Sequence, residues 1–446
     1  MDKIEEIKQL LQERQYKKIR ELVEGENDAD LAEMLEELEA EEMIRVFRLL
    51  PKDDAADVFV YMSNESEATV IEALTSTEIG ELVNDLYSDD VIDMIEELPA
   101  NVVKRVLAAS NEQTRREINH LLRYPEDTAG SNMNVEFVDL KAEMTVAEAI
   151  TRIRRIGVDK ETINTCYIVD SSRHILGVIT LRKLLLSDPD ASIKDIMNDN
   201  IISVHTLTDQ EEVTREFQKY DLTVMPVVDN EDRLVGIITV DDVVDIMEEE
   251  ATEDIEKMAA ITPTDQPYMK TGPWQTYLKR IPWLLILMIS AFFTGKIIQG
   301  YEHVLSSYFI LTAFIPMLMD SAGNSGTQSA VSVVRAISLD EVKFSDIFSI
   351  LRKEFLVAVL AGGTLAAINF AKVIYIDQTT AEIAIVVCST LWITIVIAKM
   401  VGCLLPVLTY KMGFDPTVMA SPIITTIVDA VSLIMYFVIA GSVLGI

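Results

Sequence analysis

MPVVDNEDRLVGIITVDDVVDIMEEE, Met225–Glu250, changes its hydrophobic period twice. MPVV and LVGIIT are short β-branched apolar runs separated by the polar turn DNED, the pattern of two paired strands. DDVVDIMEEE then opens a helix whose acids crowd the first turn. The pattern has a copy 59 residues upstream, CYIVDSSRHILGVITLRKLL, Cys166–Leu185. Each copy follows a helical stretch, TVAEAITRIRR or TDQEEVTREFQKY. The chain therefore carries two related α+β modules in tandem.

Working outward, the region before them repeats every 12 residues. Leu38, Leu50, Met62, Leu74, Leu86 and Leu98 mark the period, with Val46, Val58, Val70, Leu82, Met94 and Val106 following at a fixed offset. A unit this short cannot bury its own apolar face, so the units must stack as a superhelix of short helices. Acids open many units. They complement helix dipoles, but Asp89 and Asp93 stand one turn apart, where like charges weaken a helix unless a cation lies between them. Asp57 has the same place as Asp93, 36 residues earlier.

After the modules, DDVVDIMEEEATEDIEKMAAI, Asp241–Ile261, reads as one long acidic helix with an apolar stripe at Val244, Met247, Ala251, Ile255 and Met258. Beyond Pro263 the composition inverts. From Arg280 onward stand 9 basic and 10 acidic residues, so the first 279 hold 29 of the 38 basic and 62 of the 72 acidic ones: −33 of the net −34. An acidic soluble part is joined to a membrane part. The acidic part repels nucleic acid and attracts cations. Cys166, Cys388 and Cys403 show no ligand spacing or disulfide pattern. MDKIEEIKQL is no secretory leader, so the soluble part is expected in the cytoplasm.

Hydropathy gives five expected spans near 281–301, 304–334, 355–375, 381–410 and 420–446. Arg335, Lys343, Arg352, Lys353 and Lys411 fall on the inner connections, which sets the N-terminus inside and the C-terminus outside. In the last span Ser421, Thr425, Asp429, Ser432 and Tyr436 share one helical face. In the second, Asp320, Asn324, Thr327 and Gln328 do the same, while Gly323 and Gly326 admit another backbone. Two polar stripes read as walls of an ion path. An ionisable residue in a span costs about 2.5 kcal/mol or more and faces a cavity or a partner. Asp429 reads as a path residue against the alternative of a helix–helix contact, and Asp320 reads equally either way. Lys296 and Lys399 read as snorkelling or rim residues.

The modules resemble CBS domains, whose mark is a Gly-hydrophobic-hydrophobic-Thr-x-x-Asp turn. The second copy has it as Gly236, Thr239 and Asp242; the first has Lys183 in place of the acid. The whole chain resembles the MgtE family of magnesium channels, with DSAGNSGTQSAVSVVRA and FDPTVMASPIITTIVDAVSL as its membrane motifs. The resemblance implies a multidomain membrane protein: an α-helical superhelix N domain at 1–130, tandem CBS domains at 131–195 and 196–247, a connecting plug helix at 241–262 and a five-helix transmembrane domain at 275–446. It implies a homodimer in the lipid bilayer of the cell membrane, with a pore on the dimer axis lined by spans 2 and 5. Asp429 would bind Mg²⁺ there, beside Ser421, Thr425, Asn324, Gly323 and Gly326. Regulatory Mg²⁺ would bind among Asp57, Asp89, Asp93, Asp209, Glu211, Asp221, Asp242, Asp245, Glu250, Glu253, Asp254 and Asp415. Lys183 leaves ATP binding open.

Other classes fit less well. A metalloprotease needs HExxH, and the four histidines read HLLR, HILG, HTLT and HVLS. An aspartyl protease would need Asp320 and Asp429 paired within one protomer. A transporter of Co²⁺, Ni²⁺ or Mn²⁺ is the nearer alternative, but the stripes lack His and Cys, which favours a hard cation. The expectation is a transporter, not an enzyme.

Overall fold

A computed structural model describes residues 3–264, 268–269, 271–339, 341–419 and 422–445. They divide into two units, the first ending at Met247 and the second beginning at Glu248.

The first unit opens with ten short helices: α1 Lys3–Gln12, α2 Tyr16–Val23, α3 Asp28–Glu36, α4 Ala40–Phe47, α5 Lys52–Val60, α6 Asn64–Ala73, α7 Ser76–Asp85, α8 Ser88–Glu97, α9 Ala100–Ala109 and α10 Glu112–Leu121. The 12-residue period becomes two rows: α3, α5, α7 and α9 pack one on the next, as do α4, α6, α8 and α10. Val46, Val58, Val70, Leu82, Met94 and Val106 are all buried between the rows. Each helix is too short to persist alone, so its stability comes from its neighbours. Polar groups finish the ends. Thr75 and Glu78 form a capping box at the start of α7, and Arg105 of α9 donates to the carbonyls of Glu72 and Leu74 at the C-terminal end of α6 at 3.3 and 2.8 Å.

The tandem modules follow. The first has β1 Asp139–Leu140, α11 Val146–Ile156, β2 Thr165–Val169, β3 Ile175–Thr180, α12 Leu181–Leu186 and α13 Ile193–Ile196. The second has β4 Val204–His205, α14 Gln210–Tyr220, β5 Val224–Val228, β6 Leu234–Thr239 and α15 Val240–Met258. Both sheets share one topology, an antiparallel hairpin with a short parallel strand on its outer edge. Each module is completed by chain from the other's approach. Asn134, before β1, pairs with Ile237 of β6, and Asn198, before β4, pairs with Val178 of β3. The two motif glycines permit this. A Cβ on Gly236 would stand 2.7 Å from Met133 Sδ and 2.9 Å from Asn134 O; on Gly177 it would stand 2.7 Å from Met197 Sδ and 3.0 Å from Asn198 O.

The second unit is helical: α16 Pro273–Gly300, α17 Glu302–Ser307, α18 Ile315–Ser338, α19 Ile347–Tyr375, α20 Ala381–Lys411 and α21 Pro422–Leu444. Among the described residues four helical segments are long and apolar enough to cross a bilayer: α16, Phe344–Tyr375, α20 and α21. The expected second span differs. The range 304–334 is not one helix. It breaks at Tyr308, passes through a 3₁₀ turn at Phe309–Phe314, and restarts as α18 with Pro316 in its first turn, where the missing N–H costs nothing. At 24 residues α18 has the length of a span. Its Asp, Asn and Gln side chains lower its hydropathy below that of the other four. It packs against both α20 and α21.

Candidate functional site

α18 and α21 bring the two polar stripes together. A Cβ on Gly323 would lie 3.3 Å from Thr425 Cγ2 and 4.0 Å from Asp429 Oδ1, so the small residue on α18 lets the Thr425–Asp429 edge of α21 come close. Asp320 and Asp429 are near enough for their charges to interact. Asp429 is half-buried, whereas Asp320, Asn324 and Gln328, at i, i+4 and i+8 on α18, are exposed. The result is a polar strip open along one side of the protomer. Ser421 lies outside the described residues. Gly326 is buried and takes another role: its Cβ would meet Ile424 Cγ2 at 2.9 Å and Ala398 O at 3.2 Å.

The polar stripe on α21 is shorter than expected. Tyr436 is fully buried and its hydroxyl donates to Leu311 O at 2.9 Å, fastening α21 to the 3₁₀ turn. Ser432 is 1% exposed and has no hydrogen-bond partner among the described residues. These two positions belong to the packed interior. Lys296 keeps an exposed head over the Phe292 ring. Lys399 does not snorkel: it is buried and donates to Ser329 Oγ at 3.2 Å, 3.9 Å from Glu354. Its position in mid-span puts the interface out of reach, and a carboxylate nearby makes burial tolerable.

In the first unit, Asp89 at the start of α8 is 7% exposed and accepts the Asn134 amide through both oxygens, at 3.0 and 3.1 Å. The same amide reaches Glu161 at 3.1 Å, and Ser88 donates to Glu136 at 2.7 Å. Asp242 accepts from Thr239 N and Oγ1 at 3.1 and 2.6 Å. Asp89, Asp90, Glu161 and Asp242 thus crowd one half-dry corner. Burial, then Asp90, Asp242 and Glu161, pushes Asp89 well above the usual carboxylate range. Burial, then the charge of Asp242, pushes Asp90 and Glu161 up to about 7 each. Burial also raises Asp242, against the pull of its Thr239 bonds. Sequence spacing pointed to Asp89 and the resemblance to Asp242, but neither pointed to Glu161, Glu136 or Asn134, which are brought in from distant segments.

These acids suit a hard cation, which takes one or two carboxylates and keeps most of its water. Among the described residues no three His, Cys, Asp or Glu side chains already form a metal cage. The raised groups give a testable sign. Their folded pKa exceeds the unfolded one, so the folded state binds more protons between about pH 4 and 7, and stability falls as pH rises through that window. In metal-free buffer the amide protection factors of α8 are expected to fall by at least about tenfold across that window, since one pKa unit is worth a factor of ten and Asp90 and Glu161 are each raised by more than that, and saturating Mg²⁺ should erase that fall. Protection that ignores pH would contradict it.

The other expected acids are spread out. Asp57 on α5 and Asp93 on α8 are exposed. Asp209 caps α14 by accepting from Glu211 N, Glu211 bridges Arg215 at 3.0 Å, and Asp221 takes the left-handed position that ends α14. Asp245, Glu250 and Asp254 lie along α15. In the second unit Lys257 joins Glu253 at 2.7 Å and Asp415 at 2.8 Å. Burial works against the ionised Asp415, but hydrogen bonds from Lys257 and Thr417 hold it below the usual carboxylate range. A lysine ammonium already stands between two of the expected metal ligands.

Comparison with known proteins agrees with this architecture. Residues 26–127 match the model of the MgtE intracellular N domain, 133–189 and 193–249 match the CBS domain, and 315–439 match a family described as divalent cation transporter. The chain is 37% identical to the magnesium transporter MgtE of Thermus thermophilus over 97% of both chains, and 32% identical to that of Bacillus subtilis over 89% of this chain and 87% of the relative. Its fold matches a crystal structure of the soluble part of a magnesium transporter (30% identity, TM-score 0.53), covering 56% of this chain and 98% of that one. It also matches the cytosolic domain of the Mg²⁺ channel MgtE in complex with ATP (39% identity, TM-score 0.52), covering 54% and 98%.

Proposed function

The chain belongs to the MgtE family of magnesium transporters, and from that premise we propose that it is an Mg²⁺-selective channel closed by cytosolic Mg²⁺. One observation carries the pore reading: a carboxylate on α21 beside an uncovered polar strip on α18. Facing lipid, that strip would be costly. Facing the same strip of a second copy, it becomes a water-filled path with two Asp429 side chains across it. The homodimer is thus the proposed working state, with the soluble domains in the cytoplasm and the C-terminus outside.

Mg²⁺ releases its water reluctantly. Two carboxylates with Thr425 and Asn324 nearby can hold the hydrated ion by its waters, weakly enough to let it pass on. Closure uses the −33 charge of the soluble part. Mg²⁺ shared among Asp89, Asp242 and the acids of α15 lowers the repulsion there and holds the domains in the closed arrangement. Without it the surfaces repel and α15 is freed. Many weak sites acting together make the response steep. Neutralising Asp245, Glu250 and Asp254 together is expected to shift half-closure to about tenfold higher cytosolic Mg²⁺, a coupling loss of roughly 1.4 kcal/mol. Patch recording or flux with Mg²⁺ varied on that face reads the shift, and an unmoved curve would reject the gating scheme.

ATP is proposed as a second ligand of the modules. The similar cytosolic domain is described as an ATP complex. Here the Thr239 and Asp242 pair offers a ribose acceptor in the second module, while Lys183 removes it from the first, so one nucleotide per chain is expected in equilibrium dialysis. The test of the whole reading is ion uptake into proteoliposomes. Uptake of Mg²⁺ that cytosolic Mg²⁺ shuts off supports it. Uptake of Co²⁺, Ni²⁺ or Mn²⁺ without Mg²⁺ would move the substrate to another divalent ion.

A further inference from the structure

The second unit contains a buried charged network that the pore reading does not use. Ser329 of α18, 1% exposed, donates to Glu354 Oε2 of α19 at 2.6 Å and accepts from Lys399 Nζ of α20 at 3.2 Å. Glu354 and Lys399 lie 3.9 Å apart, with side chains 13% and 6% exposed. Three neighbouring helices thus meet through one hydroxyl. The network adjoins a tight crossing: a Cβ on Gly402 would stand 2.2 Å from Gly326 O. Ser329 is three residues past Gly326 and Lys399 three before Gly402, one turn along the same faces.

We propose that Ser329, Glu354 and Lys399 are positioning residues that set the rotation of α18 and through it the ion discrimination of the pathway. At 3.6 residues per turn Ser329 lies about 140° round α18 from the middle of the Asp320–Asn324–Gln328 face. A bond on that far side fixes where the face points. Apolar packing alone lets a helix turn a little at small cost. A serine hydroxyl has one proton to give, and here it is given to Glu354 while an oxygen lone pair takes Lys399. The direction of α18 is therefore specified, not only its contact. A buried ion pair adds little stability over apolar residues of the same size, so directional control is the role that the chemistry favours. The crossing at Gly326 fixes depth and the network fixes rotation.

This rests on the proposed Mg²⁺ path for one of its two readouts, and the other is independent of it. In proteoliposomes, Ser329→Ala is expected to lower the Mg²⁺-over-Ca²⁺ uptake ratio by about threefold to tenfold, the worth of one ordinary hydrogen bond, and Ser329→Thr to restore it. In an Asn324→Cys reporter, whose three native cysteines are buried, Ser329→Ala should change the rate of labelling by a water-soluble methanethiosulfonate by a similar factor. If both the ratio and the labelling rate stay at their reference values, the inference is wrong, whatever happens to total uptake or thermal stability. If the reference protein carries no Mg²⁺, the channel reading fails, and the labelling rate alone decides whether Ser329 sets the rotation of α18.

Discussion

Asp429→Ala is expected to abolish Mg²⁺ uptake in proteoliposomes, with at least a hundredfold loss, about 2.8 kcal/mol at 1.4 kcal/mol per decade. Asp429 lies in mid-helix beside Thr425 and Gly323. It is the carboxylate of α21, and the strip on α18 supplies only Asp320 besides. Removing it leaves only the exposed Asp320 at the edge of the strip and neutral dipoles to replace the pull of that charge on a hydrated divalent ion. Asp429→Asn keeps the shape and hydrogen-bonding capacity and removes only the charge. Should the Asn variant conduct selectively, charge is not what holds the ion, and Asp429 would be a packing residue. Should both variants fail while the elution position of the folded protein and its thermal midpoint stay unchanged, the electrostatic role stands.

The second large effect concerns the crossing of α18 and α20. Gly402→Ala would put its Cβ 2.2 Å from Gly326 O, 2.9 Å from Gly326 C and 3.1 Å from Gly326 Cα. These obstacles are backbone, so no rotamer change relieves them, and the helices must move apart. That separation pulls Ser329 from Lys399 and opens the groove in which Ile424 rests. Overpacking costs about 1–3 kcal/mol, and the upper end is expected here, seen as a lower thermal midpoint and a reduced yield of folded protein. Gly363→Ala is the control. Nothing lies within 4 Å of its Cβ, and alanine raises helix propensity by about 1 kcal/mol. Equal behaviour of the two variants would mean the helices do not meet this closely.

The contrast between these sites shows what the chain reveals when read as letters. Periodicity made the stacked helices legible, because Val46, Val58 and Val70 must all point inward if 12-residue units share a core. The offset of 59 residues revealed the tandem modules, and the collapse of net charge after Arg280 revealed the membrane part. The polar strip on α18 was legible from its four-residue spacing. Contacts between distant segments were not. Nothing near Glu354 in the sequence points to Lys399 or Ser329, and a lysine in an apolar run looks like one that reaches for the interface. Asn134 and Glu161 join Asp89 only because the modules fold against α8. Tyr436 fitted the α21 stripe by angle, but angle alone cannot say that the C-terminal half of the stripe turns into packed protein. The break at Tyr308 was hidden because apolar residues continue straight through it.

The exchanged segments before β1 and β4 have a consequence for how this protein can be taken apart. Since Asn134 closes the sheet of the second module and Asn198 that of the first, the first module is finished only when the ribosome has released the approach to the second, and the second only by using chain from before the first. A single module cut out on its own would expose a sheet edge and an empty groove where Met133 or Met197 belongs, an invitation to pair with another chain. The indivisible part, for synthesis, for transplantation into another protein and for the accumulation of mutations, is therefore the pair.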